Sequence, residues 1–211
     1  WLKKTGDPNA PYDGTTKPYA YHIDQFEQLS HVWLKVYEYA IAMGLDIVQG
    51  DHEDAPGQVE LNFMFDDAVK TADRLTTYRQ ICSQVARENN LIACFMTKPY
   101  MGTSANGCHH NLSLWSSGAP EVVPLVGAPL PGMDDVFAHT KGGRNEFRDE
   151  RETWRPSEIG RHALGGILQH LSGMNAIACS TVNSYRRLND TGLWAPLAIN
   201  WGLQNRSCAV R

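Results

Sequence analysis

The sequence predicts a chain of the α/β or α+β class, and three observations carry that reading. Two long stretches, 24–43 and 67–88, place apolar residues at helical spacing. Short apolar or alternating runs lie between and after them, at 45–48, 59–65 and 91–96. With 211 residues, 42% hydrophobic and 20% charged, the chain can bury one sizeable core of ordinary globular composition.

Residues 1–22 are rich in Pro, Gly, Asp and Lys and read as loop or linker. In the first helix Phe26, Leu29, Val32, Trp33, Val36 and Ala40 form the stripe, with Asp24 as N-cap and Gly44 just past the end. A short buried strand is expected over 45–48. After the Pro56-Gly57 turn, Val59, Leu61, Phe63 and Phe65 share one strand face, and Glu60, Asn62 and Met64 the other. Asp66 is expected to cap the second helix, striped by Val69, Ala72, Leu75, Ile81 and Val85. Strands are expected at 91–96 and 111–115, a loop-rich stretch over 116–156, a third helix over 157–174, and strands near 197–201 and 207–211. There is no internal repeat.

A net charge of −4 lacks the basic footprint of a nucleic-acid binder. No apolar run approaches the roughly 18 residues of a membrane span. The five cysteines are odd in number, scattered and without a CxxC pair, which points to reduced thiols and a cytoplasmic protein. The ends carry neither an initiator Met nor a closing helix cap, so residues 1–211 are expected to be part of a larger protein.

Chemistry concentrates in three stretches. In GDHEDAPGQVELNF, Glu53 and Glu60 flank a tight turn. Held close in a half-buried sheet, two carboxylates repel each other unless a cation lies between them, and oxygen donors suit Mg²⁺ or Mn²⁺ rather than Zn²⁺. A pair of solvated turn carboxylates is the competing reading. In KPYMGTSANGCHHNLSLW, a small-residue loop runs into adjacent histidines. On a strand, His109, Asn111 and Ser113 would point one way and His110, Leu112 and Leu114 the other, which makes His110 a core or interface histidine and His109 the candidate ligand.

The third stretch is basic: NSYRRL, then QNRSCAVR, carrying Arg187, Arg206 and Arg211. The planar guanidinium fork suits carboxylate and phosphate. Arg206 and Arg211 lie five apart and converge only if a bend or turn separates them. Cation-binding carboxylates, a histidine and arginines together point to phosphoryl transfer involving an anionic substrate. No Walker loop and no HExxH is present.

These stretches resemble, in order and through nearly the whole chain, the catalytic domain of the glutamine synthetase family. GDHEDAPGQVE resembles its HHE…GQ-x-E segment, KPYMGTSANGCHHNLSLW its KP…G-x-H-x-x-x-S signature, and NSYRRL…AP…NRSCAVR its NSYKRL…E-AP…NRS-x-x-x-R segment. The resemblance implies an α+β fold whose incomplete antiparallel β-barrel holds the active site, with helices packed outside. It implies a carbon–nitrogen ligase in which ATP phosphorylates the side chain of L-glutamate and an amine displaces the phosphate. Glu53 and Glu60 match ligands of one divalent cation, and His109 a ligand of a second. Ser113 matches a position near the nucleotide, Arg187 the arginine on the substrate carboxylate, and Arg206 and Arg211 arginines on the phosphates. Gly107 closes the loop whose backbone meets glutamate. The implied assembly is a hexameric ring or a dodecamer with active sites between subunits. The family's small N-terminal domain and C-terminal strands lie outside the stretch that these 211 residues match, so this chain alone is expected to be inactive.

Three departures stand out. The family's usual Asn-Gly pair is replaced by Ser104-Ala105, with Asn106-Gly107 following. The segment between Arg187 and Ala195 is one residue longer than the common pattern. Trp194 stands where ammonium-using members carry a glutamate before Ala-Pro. A Trp has no acid–base chemistry to offer ammonium, but its indole face can pack on an alkylammonium. The expected acceptor is therefore a small alkylamine such as methylamine, as in the γ-glutamylmethylamide synthetase branch; ammonium is the alternative. A catalytically inactive relative with a structural role, and a zinc hydrolase using His52, Glu53, His109 and His110, are the readings from other classes.

Overall fold

The computed structural model describes residues 2–4, 20–116, 144–149, 151, 155–189 and 195–211. Contacts divide the chain into two compact units, Trp1–Gly107 with Val182–Thr191, and Cys108–Thr181 with Gly192–Arg211.

The first unit holds most of the regular structure. In chain order it contains β1 (Leu2–Lys4), α1 (Ile23–Gln28), α2 (Ser30–Ala42), β2 (Ile47–His52), β3 (Val59–Phe63), α3 (Ala68–Glu88) and β4 (Leu91–Ala93). β1 pairs antiparallel with β4, Leu2 opposite Ala93. β2 and β3 form an antiparallel hairpin in which Asp51 faces Glu60 and His52 faces Val59, with an irregularity between Ile47 and Gln49. α2, α3 and the strands enclose one core of Leu29, Val32, Val36, Ala40, Leu45, Ile47, Ile81, Val85 and Leu91. It is the apolar stripe expected of the first helix, joined by the C-terminal half of the second.

The expected single helix over 24–43 is two helices meeting at Leu29. The break has a local cause. The Phe26 carbonyl accepts from Leu29 N–H at 3.1 Å and from the Trp33 indole Nε1–H at 2.9 Å, in place of the straight-helix bond to residue 30. The Phe26 and Trp33 rings stack at 4.5 Å, so the tightened turn is packed as well as hydrogen-bonded. Asp24 lies in the first turn and His22 occupies the cap position. Gly44 sits just past α2 at φ 76°, the left-handed conformation that favours glycine there.

The cap of α3 is Asp67, not Asp66. The Asp67 side chain accepts from Val69 N–H at 3.0 Å. Asp66 accepts from Asp67 N–H and pairs with Arg74 at 3.1 Å, which holds its carboxyl below the usual range. The strand expected at 45–48 begins later and runs to His52. The Asn62 side of β3 and the whole hairpin follow the expected alternation only in part, because both faces are half-buried. β1, inside a stretch read as linker, is an addition.

The first unit also takes in a helix from later in the chain, α5 (Val182–Asn189), which the sequence reading did not place. The second unit is built on α4 (Glu158–Ala178), four residues longer at its C-terminal end than expected. Ser157 caps it, accepting from Gly160 N–H at 3.0 Å while its hydroxyl donates to the Glu146 carbonyl. The stretch 111–115 is not a strand: its one ladder contact is the isolated bridge from Trp115 to Asn145. The strands expected at 197–201 and 207–211 reduce to a single bridge between Trp201 and Val210. Alternation predicts a strand face but supplies no partner, and these segments find little pairing among the described residues. Most of the stretch 116–156 lies outside those residues. Both described sheets are antiparallel and two-stranded.

Candidate active site

The site residues named from sequence fall into two groups by unit. Glu53, Glu60, Gly107 and Arg187 belong to the first; His109, Ser113, Arg206 and Arg211 belong to the second. Trp194 lies outside the described residues.

Glu53 follows the last residue of β2, and Glu60 is the second residue of β3. The turn between them is closed by backbone bonds, Glu53 N–H to the Gln58 carbonyl at 2.8 Å and Gln58 N–H to the Ala55 carbonyl at 3.0 Å. Hairpin pairing therefore brings the two carboxyl groups together. Burial raises the pKa of Glu53 above the carboxylate range, and the neighbouring Glu60 charge raises it further, against a lowering from the Asp54 N–H. This is the signature of a carboxylate pair short of positive charge. Its hard oxygen donors fit a divalent cation of the Mg²⁺ or Mn²⁺ type, which would relieve the repulsion. Among the described residues, no cluster of three His, Cys, Asp or Glu side chains forms a complete metal site.

The loop after β4 packs on this turn through side chains that the sequence reading left without a role. Gln58, 4% exposed, accepts from Ala55 N–H at 3.2 Å through Oε1. Its Nε2 donates to Asn106 Oδ1 at 2.7 Å and to the Ala105 carbonyl at 3.3 Å. The Ser104 hydroxyl donates to Asp54. Lys98, 1% exposed, donates from Nζ to the Thr103 carbonyl across the loop. Its backbone is held by Asn183, whose Oδ1 accepts from Lys98 N–H and whose Nδ2 donates to the Lys98 carbonyl at 2.8 Å. Asn183 lies in the first turn of α5, and Arg187 sits one turn further along the same face. The carboxylate turn, the small-residue loop and the arginine helix are thus tied together by hydrogen bonds of the buried Gln58 and Lys98 and the half-buried Ser104, Asn106 and Asn183. Gln58, Lys98 and Asn183 were all inside the quoted motifs. Gln58 and Lys98 are polar residues beside apolar strand ends and Asn183 lies in the first turn of a short polar helix, patterns that sequence alone does not distinguish from surface positions.

In the second unit, His109, His110 and Ser113 are all exposed. His110 is therefore not in the core of this chain, one of the two places the strand reading gave it, because 111–115 lacks the two faces of a paired strand. Ser113 accepts from the Trp115 indole at 2.8 Å. Arg206 and Arg211 are exposed, and the interruption their convergence requires is present. Cys208 N–H donates to the Asn205 carbonyl at 3.2 Å, and Asn205 Oδ1 accepts from Ser207 N–H at 3.0 Å and its hydroxyl at 2.7 Å. Asn200 closes the segment, its carbonyl accepting from Val210 N–H and its side chain from Ala209 N–H, both at 3.1 Å.

The family model described as glutamine synthetase, catalytic domain, matches residues 3–125 and 136–211. The chain belongs to the glutamine synthetase catalytic-domain family. A glutamine synthetase from Rhizobium meliloti is 33% identical over 205 residues, covering 95% of this chain and 42% of that protein. One from Pyrococcus furiosus is 35% identical over 177 residues, covering 84% and 34%. A solved GmaS structure in complex with ADP superposes with a TM-score of 0.78 at 31% identity, covering 99% of this chain and 44% of the other. The chain thus spans between about a third and two-fifths of the length of these glutamine synthetases. The mixed α and β architecture described above is that of the family.

Proposed function

We propose that the full-length protein is an ATP-dependent ligase that joins an amine to the γ-carboxylate of L-glutamate. The observation that carries this is the Glu53–Glu60 carboxylate pair, set on a hairpin tied to the loop and arginine helix of a glutamine synthetase-family domain. In this reading residues 1–211 are part of one catalytic domain with an incomplete antiparallel barrel. A γ-carboxylate oxygen of glutamate attacks the γ-phosphorus of ATP, and the bond to ADP breaks. The amine nitrogen then attacks the γ-carbonyl of the acyl phosphate, loses a proton and expels inorganic phosphate.

Each residue has a defined task. Arg187 holds the substrate's α-carboxylate, and the loop ending at Gly107 offers backbone to the amino acid. Glu53 and Glu60 would hold one divalent cation and His109 a second; when bound, these neutralise charge on the transferring phosphoryl group. Ser113 lies by the nucleotide. Arg206 and Arg211 stabilise the phosphoryl oxygens, whose charge is spread in the transition state. The similarity to an ADP-bound GmaS supports the nucleotide assignment. In this reading the full-length protein is a homo-oligomer, a hexameric ring or a dodecamer, with active sites between subunits.

The acceptor in this reading is a small alkylamine, with Trp194 as the selectivity element. Likeness to γ-glutamylmethylamide synthetase (GmaS) structures supports it. Ammonium is the second reading, favoured by relatives that carry the name glutamine synthetase. Replacing Trp194→Glu in the full-length protein tests the assignment. The ratio of kcat/KM for methylamine to that for ammonium should fall by about tenfold or more, the scale of one lost cation–π contact of about 1–2 kcal/mol. An unchanged ratio removes Trp194 from amine selection.

A further inference from the structure

The geometry points to a positioning clasp, in which Gln58 with Asn106, and Asp54 with Ser104, hold the small-residue loop in the shape that receives the amino-acid substrate. The inference rests on the ligase reading and concerns residues to which that reading gives no role.

Asn106 is the junction. Its N–H donates to the Thr97 carbonyl at 2.8 Å, and its Nδ2 donates to the Met96 carbonyl at 2.8 Å. One side chain and one amide thus close the loop from 96–97 to 106. Its Oδ1 faces the other way and takes the 2.7 Å bond from Gln58. Gln58 sits between Glu53 and Glu60 in sequence and is buried, so its other oxygen contact at Ala55 fixes it to the carboxylate turn. Ser104, two residues before Asn106, makes the second tie to that turn through Asp54. The two ties straddle Ala105, whose carbonyl Gln58 also holds at 3.3 Å.

These positions include those at which the chain departs from the family pattern. Ser104 stands in place of the usual Asn, and Asn106 follows at a position outside the usual Asn-Gly pair. In this chain both side chains are engaged with the β2–β3 turn, so the loop offers backbone to the substrate. A loop of Gly, Ser, Thr and Asn left untied would have to be ordered by the incoming ligand, at about 1–2 kcal/mol per residue. Ordering it beforehand strengthens substrate binding without any contact to the substrate. Gln58 and Asn106 are therefore positioning residues, and the turn that carries the carboxylates sets the place of the loop.

The test is a double-mutant cycle in the full-length protein, with Q58L, N106A and both together, read by steady-state kinetics. The expected result is a rise of about tenfold in KM for glutamate in each single variant, the effect of one lost hydrogen bond of about 1.4 kcal/mol. The double variant should rise by less than the product of the two single effects, because the Gln58–Asn106 bond is lost in both. KM for ATP and kcat should stay within about threefold. Asn106 is only half-buried, so N106A decides the matter if Q58L does not fold. A folded N106A with unchanged KM for glutamate, additive effects in the cycle, or equal rises in both KM values overturns the clasp and leaves the ligase reading standing. A parent protein with no amine-dependent phosphate release overturns that reading, and the clasp with it.

Discussion

Glu53 is half-buried next to Glu60, and its carboxyl holds a proton more tightly than an ordinary carboxylate does. Protons and a divalent cation compete for the same oxygens, so cation affinity falls as pH drops through that raised value. The Glu60 charge is one of the causes of the rise, and removing it lowers the Glu53 pKa again. In E60Q the acid limb of Mn²⁺ binding should move to lower pH, while affinity near neutrality weakens by about tenfold or more through the lost ligand charge. Calorimetric titration of Mn²⁺ across mildly acidic to neutral pH reads both effects. An acid limb that does not move would mean that the two carboxylates act independently. Cys82 offers a second residue-scale test. Burial pushes its thiol up to about 11, against a smaller lowering from the Tyr78 hydroxyl. At pH 8 about one molecule in a thousand would carry the thiolate, compared with about one in four for an ordinary thiol. Iodoacetamide should label the exposed Cys108 at least about tenfold faster than Cys82, followed by peptide mass spectrometry. Equal rates would contradict the burial of Cys82.

At the scale of elements, β2 is closely approached at Gly50. A Cβ there would lie 2.7 Å from both Leu61 Cδ2 and Phe26 Cζ. Phe26 is stacked on Trp33 and cannot swing away without losing that contact. Gly50→Ala should therefore cost about 1–3 kcal/mol by overpacking, measured as a lower urea midpoint with an unchanged slope. An unaltered midpoint would show that α1 shifts freely over the hairpin. The same elements show what sequence could reveal. α3 and α4 were legible because a long stripe and a polar cap are local signals, though adjacent aspartates 66 and 67 were not resolved into ion-pair partner and cap. The Glu53–Glu60 hairpin was legible from its Pro-Gly turn. The break at Leu29 was not, because it depends on the Trp33 indole reaching back to the Phe26 carbonyl. Strands at 111–115, 197–201 and 207–211 were overpredicted for a related reason: pairing depends on partners distant in the chain. α5 is short and polar, and its place is set by Asn183 on the Lys98 backbone, a contact 85 residues apart.

Across the whole molecule, the two units differ in how much they bury. The core named above lies in the first, while both expose large apolar side chains, among them Ile23, Met43 and Val69 in the first and Leu112, Ile177 and Leu197 in the second. The chain spans about two-fifths of the length of the Rhizobium meliloti glutamine synthetase that it matches. None of the described helices is long and apolar enough to cross a membrane. Under the proposed ligase reading, the residues assigned to glutamate lie in the first unit, where hydrogen bonds tie its turn, loop and helix together. Residues assigned to the nucleotide lie in the second. The central claim is amine ligation to glutamate, and its most direct test is phosphate release by the full-length protein with ATP, Mg²⁺ and glutamate. Ammonium, methylamine and ethylamine are compared at equal concentration. The predicted result is release that requires both glutamate and an amine and is faster with methylamine than with ammonium. Release that is indifferent to every amine would contradict the account.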